Sequence, residues 1–347
     1  MSGGRHLPIP SCVAVAHVRR IVLWIAILAF IAPACANRSS LALPASPAPQ
    51  AAAPPAAVPA VAAPQSPASQ THAASSQTLP SPGFSWSVSG PATVITLVGS
   101  IHVGFDGLYP LPGPVESAFR DSTTLAMELA LDQEPPERVA ELMMAEAMLP
   151  KGQTLHSCLS AKTWLRYQAF AKGHVDQAKF FERFRPWFVA QFLSVEKATL
   201  DGYDTNKGID LHFLSQRGSR RLIGVEKAEE QIKLLASLSA DIQELMLAEQ
   251  LDAMDRQDDE LAAVVDVWKK GDAEELARVM FADYGSSEYA PVYDALIVQR
   301  NIRMTKLIES WLAGKEHIFV VLGAGHFVGK DGIVSQLQRD GWRPIRL

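Results

Sequence analysis

Ile318-Phe319-Val320-Val321-Leu322-Gly323-Ala324-Gly325-His326 is an apolar run that breaks on glycine and delivers a histidine. Far earlier in the chain, Ile95-Thr96-Leu97-Val98-Gly99-Ser100-Ile101-His102 repeats the pattern. Each reads as a buried strand whose C-terminal end carries a G-x-x-H turn. Ligands of open α/β sheets collect at that end of the strands, so two histidines arriving there could share one site. The motif needs its context. With 22 Gly and 9 His in 347 residues, chance supplies about 0.6 matches. Four are present, but Gly3–His6 and Gly314–His317 do not follow an apolar run.

Working outward, strands are expected at Thr93–Val98, Thr123–Glu128, Arg221–Glu226, His317–Leu322 and Arg343–Leu347. Helical patterns lie between them. Pro135–Met148 opens on Pro-Pro-Glu and carries Val139, Leu142, Met143 and Ala147 on one face. Pro186–Leu200, Ile209–Gln216 and Lys227–Leu238 follow, then a long amphipathic stretch Asp241–Lys269 and a helix Tyr293–Leu312. A last β-α-β unit places a helix at Asp331–Arg339. The fold class is therefore α/β: a mixed or mostly parallel sheet with two strand–GxxH units and a large helical insertion between them.

Residues 1–36 read as an export signal, with Arg5, Arg19 and Arg20 before an apolar core Ile21–Ile31 and a small-residue stretch Ala32-Pro33-Ala34-Cys35-Ala36. The core is shorter than the ~18 residues of a spanning helix. Cys35 stands where a bacterial lipoprotein carries its acylated cysteine, so the leader ends in simple cleavage or at a lipid anchor, or is kept as an uncleaved membrane anchor, and Arg19-Arg20 also allows a twin-arginine reading. Each of these places the domain in the periplasm or cell envelope. Residues 37–85 form an Ala/Pro-rich spacer too poor in apolar residues to fold, and 86–347 form one large domain. Cys12 lies in the leader and Cys158 reads as a small buried residue. A formal net charge of −5 argues against a nucleic-acid partner. Walker A, G-x-G-x-x-G, H-E-x-x-H and G-x-S-x-G motifs are absent from the sequence.

Glu128 ends the run Thr124–Met127, one strand after His102, and Glu226 ends Leu222–Val225 in the same way. Two carboxylates and two imidazoles at strand ends suit a divalent ion such as Zn²⁺, Mn²⁺ or Co²⁺. Two or three of them would hold the ion while a carboxylate takes the proton of its water. Gly99, Gly323 and Gly325 would allow tight turns and close backbone approach. His212, His156, His174 and His317 read as packing or surface residues, and Trp164, Trp187, Trp268 and Trp311 as core.

Leu97–His102 followed by Leu108-Tyr109-Pro110-Leu111, Leu125–Leu129 with its Glu, and the closing Gly323–Gly332 with Gly341-Trp342 together resemble the TraB/PrgY/GumN family, its GumN branch in particular. Between them, Lys207-Gly208-Ile209-Asp210, Gly224-Val225-Glu226 with Gln231, and Arg300-Asn301 with Met304 follow the same order. The resemblance spans roughly residues 86–347. It implies an α/β fold related to the Tiki metalloproteases and, more remotely, to erythromycin esterases and haem-associated ChaN proteins. Carried over residue by residue, it makes His102, His326 and Glu128 the metal-dependent set, with Glu226 and Arg300 as catalytic partners. Arg300 would serve as an anion or transition-state partner. Lys227-Ala228 departs from the Thr or Ser that often follows this Glu in the family. The expectation is an exported metal-dependent hydrolase acting on a peptide or small-molecule substrate. The alternative is a non-catalytic envelope protein that binds haem, a peptide signal or a polysaccharide precursor.

Overall fold

A computed structural model of the chain describes residues 83–255, 260–281 and 289–347. The leader and nearly all of the spacer lie outside the described residues. Six strands form one sheet: β1 (Ser85–Ser89), β2 (Val94–Ser100), β3 (Thr124–Leu129), β4 (Arg221–Glu226), β5 (His317–Gly323) and β6 (Ile345–Arg346), in the order β4-β3-β5-β2-β1-β6. The four strands from β4 to β2 run parallel; β1 is antiparallel to β2 and to β6. The inner strands are covered on both faces, and β3 is buried along its whole length. That is why they read as unbroken apolar runs rather than alternating ones. β1 was not expected. Its Ser-Trp-Ser-Val-Ser sequence alternates small polar and apolar residues over five positions, and Phe84 just before it is buried in the core.

The helices are α1 (Gly113–Asp121), α2 (Pro136–Ala147), α3 (Ala161–Gly173), α4 (Val175–Phe181), α5 (Pro186–Leu200), α6 (Ile209–Ser215) and α7 (Ala228–Ala236). They continue as α8 (Ala240–Asp255), α9 (Glu260–Lys270), α10 (Ala273–Phe281), α11 (Ala290–Tyr293), α12 (Gln299–Leu312) and α13 (Ile333–Arg339). Pro186 supplies the first turn of α5, where its missing N–H costs no hydrogen bond. The stretch expected as Asp241–Lys269 is helical on both sides of residues 256–259, which lie outside the described residues. The expected helix Tyr293–Leu312 contains a π-helical turn, Asp294–Val298, joining α11 to α12. Cys158 is half-buried in a short 3₁₀ turn rather than buried.

Two apolar cores result. One wraps the sheet with α1, α6, α9, α10, α12 and α13. The other gathers α2–α5, α7, α8 and α11 around Trp187, Phe181 and Tyr167. β5 enters between β2 and β3, although the chain reaches it last of the four. The strand order therefore changes direction there, and such a switch point is where open sheets form their ligand crevice.

The candidate site at the carboxyl edge of the sheet

Register decides what meets at this edge. Val98, Val321, Met127 and Gly224 form one row across β2, β5, β3 and β4. Glu128 follows that row by one residue, Glu226 by two, His102 by four and His326 by five. Both glycines of the G-x-x-H pairs stay inside their strands, Gly99 pairing with Leu322 and Ser100 with Gly323. Neither they nor Gly325 has a positive φ, so the expected need for special turn dihedrals does not hold. Close approach is the reason for glycine instead. A Cβ on Gly99 would lie 3.1 Å from the Ala324 Cα. A Cβ on Gly323 would lie 3.3 Å from His102 Nε2, 3.7 Å from Glu128 Oε2 and 3.7 Å from His326 Cδ2. Gly323 is thus the floor on which the three expected ligands converge.

Each imidazole is held from behind. Asp210, 2% exposed in the first turn of α6, takes His102 Nδ1 at 3.0 Å on Oδ2 and the Ser100 hydroxyl at 3.1 Å on Oδ1. The start of α6 is fixed against that turn by Ile209 N donating to Ile101 O, and Gly208 leaves no room for a side chain over the His102 carbonyl. Asn301, fully buried on α12, donates from Nδ2 to Asp331 O and presents Oδ1 to His326 Nδ1 at 2.6 Å. An amide oxygen only accepts, so His326 carries its proton on Nδ1 and turns the Nε2 lone pair inward. His326 Nε2 lies 3.8 Å from Glu128 Oε2.

Arg300 ties the carboxylates together. Its Nε donates to Glu226 at 3.0 and 3.1 Å, its Nη2 to Glu226 at 2.6 Å and also to Glu128, and its Nη1 to Leu296 O in the π-helical turn. Gln231 of α7 repeats the bridge, its Nε2 donating to Glu128 Oε1 at 2.8 Å and to Glu226 Oε2 at 2.7 Å. All four side chains are buried. All three nitrogens of Arg300 are engaged, and it holds the two carboxylates together. Glu226 is joined to the set through Arg300 and Gln231.

Burial would push the Glu128 carboxyl up, but Arg300, helped by His326 and His102, outweighs it and holds the group well below the usual carboxylate range. Burial would lower His102 as well, yet the Asp210 carboxylate prevails and raises it to about 9. Burial and then the Arg300 charge lower His326 to about 4. The two rings therefore differ in protonation at neutral pH.

As a donor set, two imidazoles and a carboxylate with oriented Nδ1 atoms fit a divalent ion of the zinc type. Among the described residues no group of three or more His, Cys, Asp or Glu is placed so that it could hold a metal ion.

His102, Glu128, His326 and Glu226 were expected at strand ends and Arg300, through the family resemblance alone, on a helix; the fold brings all five to one edge. Asp210, Asn301 and Gln231 were within the blocks that carried the family resemblance, but no role was assigned to them. They arrive on helices, where no strand-end pattern marks them.

These features define an α/β protein with a buried histidine–carboxylate cluster at the switch point of a mostly parallel sheet. The model of the TraB/PrgY/gumN family matches residues 84–346, and the chain belongs to that family. No curated protein and no solved structure matches it.

Proposed function

We propose that the protein is a metal-dependent hydrolase of the cell envelope, acting on peptide bonds, with His102, His326 and Glu128 as the residues that hold the ion. The observation that carries this reading is the convergence of those three side chains over Gly323, each imidazole backed at Nδ1 by a buried oxygen. A Zn²⁺, Mn²⁺ or Co²⁺ ion bound there would lower the pKa of a water and polarise a scissile carbonyl. Arg300 and Gln231 occupy Oε1 of Glu128, while Oε2 accepts from Gly323 N at 3.4 Å and lies 3.8 Å from His326 Nε2. A carboxylate held this strongly ionised is a weak base, which suits a ligand better than a proton acceptor. Asp210 and Asn301 orient the rings, and Glu226 fixes Arg300. The envelope location rests on the leader read in residues 1–36.

The test is metal content by mass spectrometry after incubation with each ion and removal of excess, alongside cleavage of a mixed peptide library. About one equivalent should be retained, falling below one tenth in His102→Ala/His326→Ala, with cleavage lost in both that variant and Glu128→Gln. Wild-type protein that stays metal-free overturns the reading. A haem Soret shift that depends on His102, without peptide cleavage, would replace it with the binding alternative.

A further inference from the structure

Residues 161–185, which form α3, α4 and the turn before α5, hold Lys162, Arg166, Lys172, Lys179, Arg183 and Arg185 against Asp176 and Glu182. That is a net +4 within a chain whose formal net charge is −5. Arg166 is met by Asp252 of α8 at 3.3 Å. Lys162, Lys172, Lys179 and Arg183 are exposed and make no ion pair among the described residues.

The same hairpin exposes large apolar side chains. Leu165 is 66% and Val175 65% exposed, two of the five large hydrophobic residues left exposed among the described residues. Leu165, Val175, Trp164 and the cations Lys172 and Lys179 line one open groove of about 640 Å³ between α3 and α4, with Glu182 as its one carboxylate. The helix spacing explains the grouping: Leu165, Gln168, Ala169 and Lys172 follow one another on one face of α3, opposite the buried Thr163, Tyr167 and Phe170. Trp164 is stacked between His156 and Tyr167, so the aromatic edge of the groove is rigid.

A basic rim around an apolar strip on paired helices is the pattern of a surface that lies in a lipid interface, where cations meet acidic headgroups and apolar side chains enter the acyl boundary. A net +4 on a chain of −5 singles out an acidic partner, and a bilayer offers acidic headgroups beside an acyl boundary. We propose that the α3–α4 hairpin docks the protein on an anionic lipid bilayer. This surface is built from the helical core rather than from the sheet edge, and the inference stands independently of the hydrolase reading.

The full chain should be sedimented with phosphatidylcholine vesicles and with vesicles of phosphatidylcholine and phosphatidylglycerol at a 7:3 ratio. Any binding through the leader is common to every variant, so ratios between variants isolate the hairpin. Binding to the anionic vesicles should exceed binding to the neutral ones and weaken as salt is raised. Lys172→Glu/Lys179→Glu should reduce it at least about tenfold, and Leu165→Ser/Val175→Ser should reduce it at unchanged net charge. All four positions are exposed or line an open groove, and unchanged thermal unfolding verifies that the variants fold. Equal binding to both vesicle types, or a Lys172→Glu/Lys179→Glu variant that binds like wild type, overturns the proposal. So does self-association abolished by these substitutions without any vesicle binding.

Discussion

His102 and His326 both lie beside Glu128, yet they hold their protons differently because of what surrounds each ring. A carboxylate stands at Nδ1 of His102 and a neutral amide at Nδ1 of His326. This gives stability two pH arms. His102 is raised from 6.5 to about 9, so its contribution is complete below pH 6.5 and is lost as pH rises through 9. His326 is lowered to about 4, so the unfolded chain takes the proton first; its contribution is present above pH 6.5 and is lost as pH falls toward 4. Glu128, also depressed, adds to the acid arm below its ordinary 4.5. Chemical denaturation across pH should show slopes of up to roughly 1.4 kcal/mol per pH unit from each histidine. His102→Gln should flatten the alkaline arm, and an unaltered arm would refute the assignment. Under the proposed function the His102 proton must also leave for an ion to bind. Affinity should therefore tighten from pH 6.5 toward 9 with proton release, measured calorimetrically in two buffers of different ionisation enthalpy. Asp210→Asn should weaken metal binding about 10–100-fold while the fold persists. Equal affinity in that variant would remove Asp210 from the site.

At the scale of elements, α12 supplies the bridging cation Arg300, with Arg303 3.5 Å from Glu226 alone, and α7 the amide that keep two strand-end carboxylates buried together. Removing the cation leaves both carboxylates without their main partner, a loss of about 3–5 kcal/mol where a buried pair is broken on one side. Arg300→Met should show a loss of that order in equilibrium unfolding, and Glu226→Gln placed on top of it should recover part. If the double variant is no more stable than Arg300→Met, the coupling argued here is absent. Gly208 carries a related constraint, since a Cβ there would sit 2.6 Å from the His102 carbonyl oxygen and force α6 away from the turn it orients. The same division between strands and helices explains what could be read in advance. Glu128, Glu226, His102 and His326 end apolar runs, and a parallel strand buried on both faces announces its end in composition alone. Asp210, Gln231 and Asn301 sit in helices whose periodicity reports a face and not a partner, and each finds its partner across the sheet edge only after folding. β1 escaped for a different reason, because three serines in five residues dilute the apolar signal of an outer strand.

Across the whole molecule, the order β4-β3-β5-β2-β1-β6 makes the last part of the chain its centre. β5 pairs with β2 along seven residues and with β3 along four, and without it the β3–β4 pair and the β2–β1 pair share no strand contact. The same stretch brings Gly323 and, one turn later, His326, so one segment completes both the sheet and the site. Pairings of such long sequence separation form slowly, because the loop entropy must be overcome before the contacts repay it. A chain truncated after Lys315 therefore should not lose stability in proportion to the residues removed. It should lose the fully buried Phe319, Val320, Val321 and Leu322 from the sheet core and, with them, cooperative unfolding. Near-ultraviolet circular dichroism and a thermal scan test this directly. The expected result is helical far-ultraviolet signal from α2–α5 and α8 without a near-ultraviolet spectrum or a sharp transition. A truncated protein that still unfolds cooperatively would mean that the helical core around Trp187 is an independent folding unit, and that the sheet is organised on it rather than with it.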